Sequence, residues 1–209
     1  MAVSHKSRHQ RIMPRHSRRP RDCNQLRIIG GELRSRLIRF PAVEGLRPSS
    51  NRVRETLFNW LRNNLAASCC LDLFAGSGAL GIEALSRGAA SVHFVEINQQ
   101  VADSLQRNLA LLQAGSATVS ICTAQDWIQS AVSGQGYDLV FIDPPFEQEL
   151  SATTCNALAV ARLLNAGALV YLECSKDMGT KDLLPCFTNL KSSKAGQVHF
   201  SLWQYEPNS

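Results

Sequence analysis

The sequence predicts an α/β fold, with a mostly parallel seven-stranded sheet of the Rossmann-like kind behind an N-terminal β-hairpin. Short apolar segments alternate with helical patterns from residue 69 onward, and a glycine-rich loop follows the first of these segments. The residues around Gly196 show a closing hairpin that would add antiparallel strands at one edge. Helices of this length between strands imply right-handed crossovers and a sheet covered on both faces. The predicted strands span residues 69–74, 91–96, 117–122, 137–143 and 168–173, and the predicted helices span 78–87, 98–114, 124–132, 147–164 and 179–186.

Residues 25–66 form a predicted extension of the single domain, in front of an α/β core that spans residues 67–209. Apolar and basic residues alternate around Gly30-Gly31 in LRIIGGELRSRLIRFP, which predicts a two-stranded hairpin. After a Pro/Ser turn, the apolar residues of NRVRETLFNWLRNNL recur at helical spacing. Residues 1–24 contain almost no large apolar residues, so we predict a basic disordered tail there.

Positive charge is concentrated at the N-terminal end of the chain. Residues 1–54 contain 14 Lys and Arg against 3 Asp and Glu, whereas the whole chain has a formal net charge of only +5. A basic arm on a mildly acidic body predicts a polyanionic partner bound through its phosphates. For residues 1–22, a purely solubilising tail is an equal alternative. The arginines interleaved with apolar residues are the candidate contacts, namely Arg34, Arg36, Arg39, Arg47, Arg52 and Arg54.

Composition disfavours several classes of protein. No apolar run approaches the roughly 20 residues that span a bilayer, and the basic N-terminus lacks the apolar stretch of a secretory signal. An organelle transit peptide is disfavoured because serine is scarce and the apolar residues lack amphipathic spacing. We therefore expect a cytoplasmic protein with no membrane partner. The seven cysteines contain no CxxC pair, so we expect neither a disulfide framework nor a metal site.

A glycine-rich loop indicates a nucleotide-type binding site. In LDLFAGSGALG, Gly76, Gly78 and Gly81 follow a strand and begin a helix, and Glu96 ends the next strand. Such glycines let backbone N–H groups approach a ligand, and a carboxylate at this spacing accepts hydrogen bonds from ribose hydroxyls. The spacing fits NAD as well as S-adenosylmethionine. Asp72 favours S-adenosylmethionine, because a carboxylate suits a cationic ammonium and sulfonium better than a pyrophosphate; a helix-capping carboxylate is the alternative interpretation.

The sharpest motif is Asp143-Pro144-Pro145-Phe146, which follows the apolar strand DLVFI. Open α/β sheets bind ligands at the carboxyl ends of their strands, and prolines leave backbone carbonyls free to face a substrate. An aromatic amine is a poor nucleophile because its lone pair is delocalised into the ring. An Asp carboxylate and a Pro carbonyl can accept both amine hydrogens and orient that lone pair, while Phe146 offers a face for base stacking. An ordinary proline-terminated turn is the alternative.

With both motifs in place, the chain resembles the amino-group methyltransferases of nucleic acids, which carry an Asp, Asn or Ser before Pro-Pro and an aromatic residue. More closely, it resembles the RsmD family of ribosomal RNA guanine-N2 methyltransferases, from about residue 27 to the C-terminus. RIIGGELRSRLI, GLRPSSNRVRETLFNWL, LDLFAGSGALGIEALSRGA, VFIDPPF and AGQV resemble family segments in the same order. The block R-P-x-x-x-R-V-R-E, here residues 47–55, narrows the resemblance to this family. It implies the class I S-adenosylmethionine-dependent methyltransferase fold.

The resemblance also implies a role for each motif. The target base would lie against Asp143, Pro144, Pro145 and Phe146. The methionine part of the cofactor would lie along Phe74, Ala75, Gly76, Ser77 and Gly78. Glu96 would hold the ribose, and Gln125 and Asp126 would lie by the adenine, with the residue that faces the ring left open. RNA or the cofactor loop would be contacted by Arg47, Arg52 and Arg54. The chain has Ser49-Ser50-Asn51 where the family usually has Thr-Thr-Asp, which leaves the role of Asn51 open.

The resemblance thus implies one function: a monomer that transfers a methyl group from S-adenosylmethionine to N2 of a guanine in 16S ribosomal RNA, within a small-subunit particle. A DNA adenine-N6 or cytosine-N4 methyltransferase is the alternative, but it usually needs a target-recognition domain, for which 209 residues leave no room. Asp72 and the proline motif disfavour an NAD-dependent oxidoreductase. The intact catalytic residues disfavour a non-catalytic RNA-binding protein.

Overall fold

The structure, a computed structural model, describes residues 23–131, 136–145, 148–176, 179 and 181–207. A hairpin comes first, formed by β1 (Cys23–Arg27) and β2 (Leu37–Pro41). A second sheet contains the strands β3 (Cys69–Asp72), β4 (Ser91–Val95), β5 (Ala117–Ser120), β6 (Tyr137–Ile142), β7 (Leu164–Cys174), β8 (Phe187–Ala195) and β9 (Val198–Tyr205). Its spatial order is β5-β4-β3-β6-β7-β9-β8.

The sheet has the predicted topology. Strands β3 to β7 are parallel, and β9 runs antiparallel to both β7 and β8 at one edge. The mostly parallel seven-stranded sheet with its closing hairpin is therefore confirmed. Strand β3 lies between β4 and β6, so the order of the sheet reverses on its two sides. Ligands of open α/β sheets bind at such a reversal, outside the carboxyl ends of the strands.

In the described part of the chain, five helices cover the two faces of the sheet: α1 (Asn51–Trp60), α2 (Ala79–Ser86), α3 (Gln99–Leu112), α4 (Ala124–Ser130) and α5 (Gln148–Val160). Neighbouring residues of a strand point to opposite faces, so Phe141 joins the core under α1, α2 and α3, while Ile142 joins the core under α4 and α5. None of the helices in the described part of the chain has the length and apolar character needed to cross a bilayer.

The structure contradicts the prediction of a helix over residues 179–186. The described residues of this segment form turns, in which the Asp182 carboxylate accepts a hydrogen bond from the backbone N–H of Gly179 at 2.9 Å. Pro185 explains the error, since its ring disfavours helical backbone at Leu184 and it has no N–H to donate. Helix α5 also ends four residues before its predicted end, because the chain turns at Arg162, which has a positive φ of 56°.

The predicted N-terminal hairpin is confirmed. Its two strands pair from Cys23 with Pro41 to Arg27 with Leu37, so the connection spans residues 28–36 and contains Gly30-Gly31. Gly31 has a φ of 76°, and a side chain there would overlap the backbone of Ser86, so glycine lets this loop approach the end of α2. Strand β1 begins within the predicted tail 1–24, of which residues 1–22 lie outside the described part.

A buried carboxylate fastens the hairpin to the core. Glu83 of α2 accepts hydrogen bonds from the backbone N–H of Ile29 at 2.8 Å and of Gly30 at 2.7 Å. It also accepts one from Nε of Arg87 at 2.8 Å, and Nη1 of Arg54 lies 3.6 Å from its other oxygen. A buried charge is tolerated only when it is paired and hydrogen-bonded, and these four groups satisfy that condition. Glu83 thus joins the loop of the hairpin to α1 and α2.

Arg54 was predicted to contact RNA, and that prediction is wrong. Its side chain is 1% exposed, because α1 turns it towards Glu83 and the hairpin. Its Nη2 donates to the carbonyl of Arg27 at 3.1 Å and to Oδ1 of Asn51 at 2.7 Å. The second contact gives Asn51 a role: it is a neutral acceptor for Arg54, where the family that the sequence resembles usually has an acidic residue. Arg52, two residues away, is exposed.

We predict opposite effects for these two arginines of α1. Arg54→Ala should lower the free energy of unfolding by about 3 kcal/mol or more, because it removes a buried cation and leaves its partners unsatisfied. Arg52→Ala, the exposed control, should stay within about 0.5 kcal/mol of the wild type. Urea unfolding followed by circular dichroism measures both. Equal stabilities for the two variants would contradict the structural role of Arg54.

Candidate active site

Acidic side chains from four adjacent strands lie at the carboxyl edge of the sheet. Glu96 follows β4 and Asp143 follows β6, while Asp72 and Glu173 lie at the ends of β3 and β7. Asp72, Asp143 and Glu173 share one face, because each stands two residues after a strand residue of the core beneath the N-terminal extension (Cys70, Phe141 and Tyr171). The alternation of the strands therefore sets three carboxyl groups on the face of the sheet that this extension covers.

The glycine loop between β3 and α2 is held by Glu96. The Glu96 carboxylate accepts hydrogen bonds from the N–H of Gly76 and of Asn98, both at 2.8 Å. Gly76 and Gly78 have φ values of 52° and 76°, a backbone conformation that favours glycine. A carboxylate has about four acceptor positions, so two remain for a ligand such as a ribose. Glu96 thus sets the shape of the loop as well as offering acceptors.

The three glycines of the loop have different surroundings. A side chain at Gly81 would overlap the ring of Phe94, so this glycine serves helix–strand packing. A side chain at Gly78 would overlap Leu105 of α3, and replacement there would disturb the core. At Gly76 the nearest obstacle is the flexible end of Leu46. The neighbouring Phe74 is half-buried, while Ala75 and Ser77 are buried.

Asp72 is almost fully buried, with 2% of its surface exposed. Its Oδ2 accepts a hydrogen bond from the N–H of Gly81 at 3.1 Å, so it does cap the first turn of α2. Burial raises the pKa of Asp72 to about 7; the Gly81 hydrogen bond lowers it, and the nearby Glu96 charge raises it further. Among the described residues, no cation contributes to this shift in pKa, so the buried carboxyl favours binding of a cationic ligand.

Asp143 belongs to a hydrogen-bonded group that reaches back to the N-terminal extension. Oγ of Ser49 lies 2.9 Å from Oδ2 of Asp143 and 3.1 Å from Oε2 of Glu173. The hydroxyl of Tyr171 donates to the same Glu173 oxygen at 2.8 Å. Since β6 and β7 pair from Phe141 with Tyr171 to Ile142 with Leu172, Asp143 and Glu173 stand side by side at the next position.

Burial and the Glu173 charge raise the pKa of Asp143 well above its ordinary value, against the lowering effect of the Ser49 hydrogen bond. Burial raises the pKa of Glu173 as well, while hydrogen bonds from Tyr171 and Ser49 lower it. Two carboxyl groups this close cannot both ionise easily, so the pair retains a proton above the range of isolated carboxyls.

The remaining predicted site residues differ in how exposed they are. Pro144 is buried and Pro145 is exposed, while Phe146 lies outside the described residues. Gln125 and Asp126 are both exposed at the start of α4. Asp126 is bound to Thr123, whose hydroxyl donates to its carboxylate at 2.7 Å and accepts from its N–H at 3.0 Å. Gln125 is therefore the more available of the two, and adenine contact by either stays a prediction.

Comparison with known proteins assigns these residues to a family. Residues 26–204 match the family model described as "Conserved hypothetical protein 95". The chain belongs to this family. It is 42% identical over 193 residues to ribosomal RNA small subunit methyltransferase D of Escherichia coli, which covers 92% of this chain and 94% of the relative. The same protein of Haemophilus influenzae is 39% identical over 189 residues, covering 88% and 96%.

A solved structure supports the same assignment. That of the Escherichia coli protein yhhF has 42% identity to this chain and a TM-score of 0.81, covering 88% of this chain and all of that one. The predicted family and the predicted methyltransferase fold are both confirmed.

Five of the six predicted RNA-contact residues are exposed, which keeps them available to a partner: Arg34, Arg36, Arg39, Arg47 and Arg52. Arg36 is partly engaged, because its guanidinium donates to the carbonyl of Leu111 at 3.2 Å. The buried Arg54 is the exception. RNA contact by the exposed five stays a prediction.

Three members of the site, Ser49, Tyr171 and Glu173, were not predicted from the sequence. Glu173 ends the apolar strand ALVYLE just as Asp143 follows the strand YDLVFI, and that parallel was the available signal. Ser49 had no such signal. Its contact depends on how the N-terminal extension folds across the sheet.

The pKa of Asp72 predicts a pH dependence of stability. Its folded-state value of about 7 exceeds the ordinary 3.8, so Asp72 favours the folded state most below pH 4. That contribution should decline as pH rises and level off above 7, with a total loss of at most about 4 kcal/mol. Asp72→Asn keeps an acceptor for Gly81 and cannot ionise. In urea unfolding, the free energy of unfolding of this variant should equal that of the wild type at pH 4 and exceed it at pH 8. If the two free energies changed with pH in parallel, Asp72 would not be a buried acid with a raised pKa.

Proposed function

We propose that this chain transfers a methyl group from S-adenosylmethionine to the exocyclic N2 amine of a guanine in 16S ribosomal RNA. We place it in the cytoplasm, acting as a monomer on a small-subunit particle. The observation that carries the proposal is the position of Asp143, which the sheet holds beside the glycine loop and which contacts Ser49, itself in contact with Glu173. Family membership supports it, since the relatives are small-subunit ribosomal RNA methyltransferases by name.

The residues at the carboxyl edge fit a cationic, ribose-containing cofactor. S-adenosylmethionine supplies an electrophilic methyl group on a sulfonium, and its charge would be matched by the buried carboxyl of Asp72. Glu96 would hold the ribose hydroxyls through its free acceptor positions. Phe74, Ala75, Gly76, Ser77 and Gly78 would bound the methionine part, with Gln125 and Asp126 towards the adenine.

Asp143 is suited to activate an aromatic amine. One of its oxygens is bound to Ser49, and the other accepts no side-chain hydrogen bond from the described residues, so it could accept an amine hydrogen. Together with a carbonyl of the following prolines, it would orient the nitrogen lone pair towards the methyl donor and stabilise the positive charge that develops on nitrogen. Phe146 would stack on the base. Because this carboxylate is held before the substrate arrives, little reorganisation is needed during the reaction.

The exposed arginines offer two sets of phosphate contacts. Arg47 and Arg52 flank Ser49, so they lie on the segment that touches Asp143. Arg34, Arg36 and Arg39 lie on the hairpin, away from the reacting group. We infer that the first pair holds the nucleotides next to the target, and that the second set holds a more distant part of the RNA.

Mass spectrometry of ribosomal RNA nucleosides from cells with and without the gene tests the substrate. Loss of N2-methylguanosine from 16S RNA would support the proposal. Unchanged ribosomal RNA together with loss of N6-methyladenine or N4-methylcytosine from DNA would contradict it and favour the DNA methyltransferase.

For Asp143 we predict an effect on kcat rather than KM. If its acceptor stabilises charge mainly as the bond forms, Asp143→Ala should lower kcat on the order of a hundredfold or more, with little change in KM. Asp143→Asn keeps the shape and one acceptor oxygen and should retain partial activity. Single-turnover methyl transfer to small-subunit particles from cells lacking the enzyme measures both. Wild-type rates for Asp143→Ala would remove this motif from the chemistry.

For the hairpin arginines we predict an effect on salt dependence. Removal of one phosphate contact should reduce the log–log slope of RNA affinity against salt by about 0.7 to 0.9. Replacing Arg34, Arg36 and Arg39 with Ala should flatten that slope without changing cofactor affinity. The matched control removes the same charge from exposed residues elsewhere, namely Arg162, Lys191 and Lys194. Equal slopes for the two triple variants would show that the hairpin makes no specific contact.

A further inference from the structure

Ser49 contacts two carboxyl groups, although its hydroxyl has only one proton to donate. Its Oγ is within hydrogen-bond distance of Asp143 Oδ2, at 2.9 Å, and of Glu173 Oε2, at 3.1 Å. A serine hydroxyl has one hydrogen to donate and two lone pairs. With both carboxylates ionised, one of these contacts would place a lone pair against an anion. One extra proton on either carboxyl turns both contacts into hydrogen bonds.

We propose that Asp143 and Glu173 share one proton through the hydroxyl of Ser49, and that Asp143 acts as the carboxylate when this proton lies on Glu173. Glu173 and Ser49 are then positioning residues, which act on the substrate only through Asp143. The consequence for methyl transfer rests on the proposed function, whereas the sharing itself rests on the geometry.

The proton can move between Asp143 and Glu173 without any further reactant. In one arrangement the Asp143 acid donates to Ser49, whose hydroxyl donates to the Glu173 carboxylate. When the Asp143 proton moves to the Ser49 oxygen, the Ser49 proton moves to Glu173. Ser49 is again a hydroxyl, Asp143 is an anion and Glu173 is a neutral acid. After transfer of the methyl group, the surplus proton on nitrogen is accepted by the Asp143 carboxylate and then passes to solvent.

The groups around Asp143 and Glu173 favour retention of the shared proton. Asp72 faces it from β3, and Tyr171 and Cys174 face it from β7; ionisation of any of these would make the site more negative. From α5 the hydroxyl of Ser151 donates to the carbonyl of Glu173 at 3.2 Å, and from β9 the apolar Phe200 stands opposite Glu173. Among the described residues, the influences that lower the pKa of the two acids are hydrogen bonds rather than cations. Retaining one proton is the least costly arrangement there.

Carboxyl ¹³C NMR of the whole protein tests the sharing without any substrate. Two macroscopic steps should be seen for the pair, one of them well above the range of isolated carboxyls, with both carboxyl resonances responding in each step. In Glu173→Gln only one step should remain, at lower pH, because the neighbouring charge is gone. Ser49→Ala should move both steps to higher pH, because each carboxyl loses a hydrogen bond that lowers its pKa. Independent titration of Asp143 and Glu173 at ordinary carboxyl values would overturn the proposal.

The pH profile of single-turnover methyl transfer tests the consequence. In Glu173→Gln the amide can donate to Ser49 as the neutral acid would, so the acidic limb should move down by about one pH unit or more. Ser49→Ala should move that limb up and lower the rate at pH 7 roughly tenfold to a hundredfold, since Asp143 loses a hydrogen bond to its charged form. Ser49→Thr should restore the wild-type profile. Glu206→Gln, the control at an exposed carboxylate, should leave it unchanged.

A purely structural role of Glu173 and Ser49 predicts a different pH profile. It would lower the rate of Glu173→Gln or Ser49→Ala by the same factor at every pH, which would overturn the inference, provided circular dichroism shows folded variants. The proposed function can fail separately. If the wild type shows the shared proton but methylates no ribosomal RNA, the function is contradicted and the proton sharing is supported.

Discussion

The buried carboxylate of Glu83 is the interaction on which the remainder of the structure depends. Its hydrogen bonds to Ile29 and Gly30 hold the hairpin loop on α2, and its pairing with Arg54 orients α1. Because the segment between the hairpin and α1 is fixed at both ends, Ser49 is brought to Asp143. The Glu83 anchor thereby sets the geometry at Asp143, the proposed catalytic carboxylate, which Glu83 does not touch.

The carboxyl edge of the sheet holds more buried carboxyl groups than the stability of the fold alone would favour. Burial raises the pKa of both Asp72 and Asp143, so ionisation of either costs folding free energy. A cationic cofactor bound there, as proposed, would offset that cost, and the same carboxyls would then contribute to its affinity. Natural proteins commonly carry such local cost at functional sites and offset it elsewhere. Here the offset comes from well-packed cores on both faces and from the anchored extension.

Most of the sheet could be predicted because apolar strands and helices alternate regularly, and the glycine and proline motifs mark the ends of β3 and β6. The predictions that failed concern features that are determined by tertiary contacts or by single residues. Pro185 disfavours helical backbone at the end of the segment 179–186, where a helix was predicted. Arg54 has the same sequence context as the exposed Arg52, and only the rotation of α1 against Glu83 separates them. Ser49 joins the site through the path of a loop, which no local pattern encodes.

The position of Ser49 links recognition to chemistry. It lies two residues after Arg47 and three before Arg52, both exposed, and its hydroxyl reaches Asp143 and Glu173. Phosphate binding by these arginines would restrict the backbone of this segment and so the range of positions open to the hydroxyl. A serine held closer to Asp143 favours the ionised form of that carboxyl, because a hydrogen bond to a charged acceptor is stronger than one to a neutral acid. Correctly bound RNA would then select the arrangement in which Asp143 can accept the amine, whereas a free base that makes no phosphate contact would not.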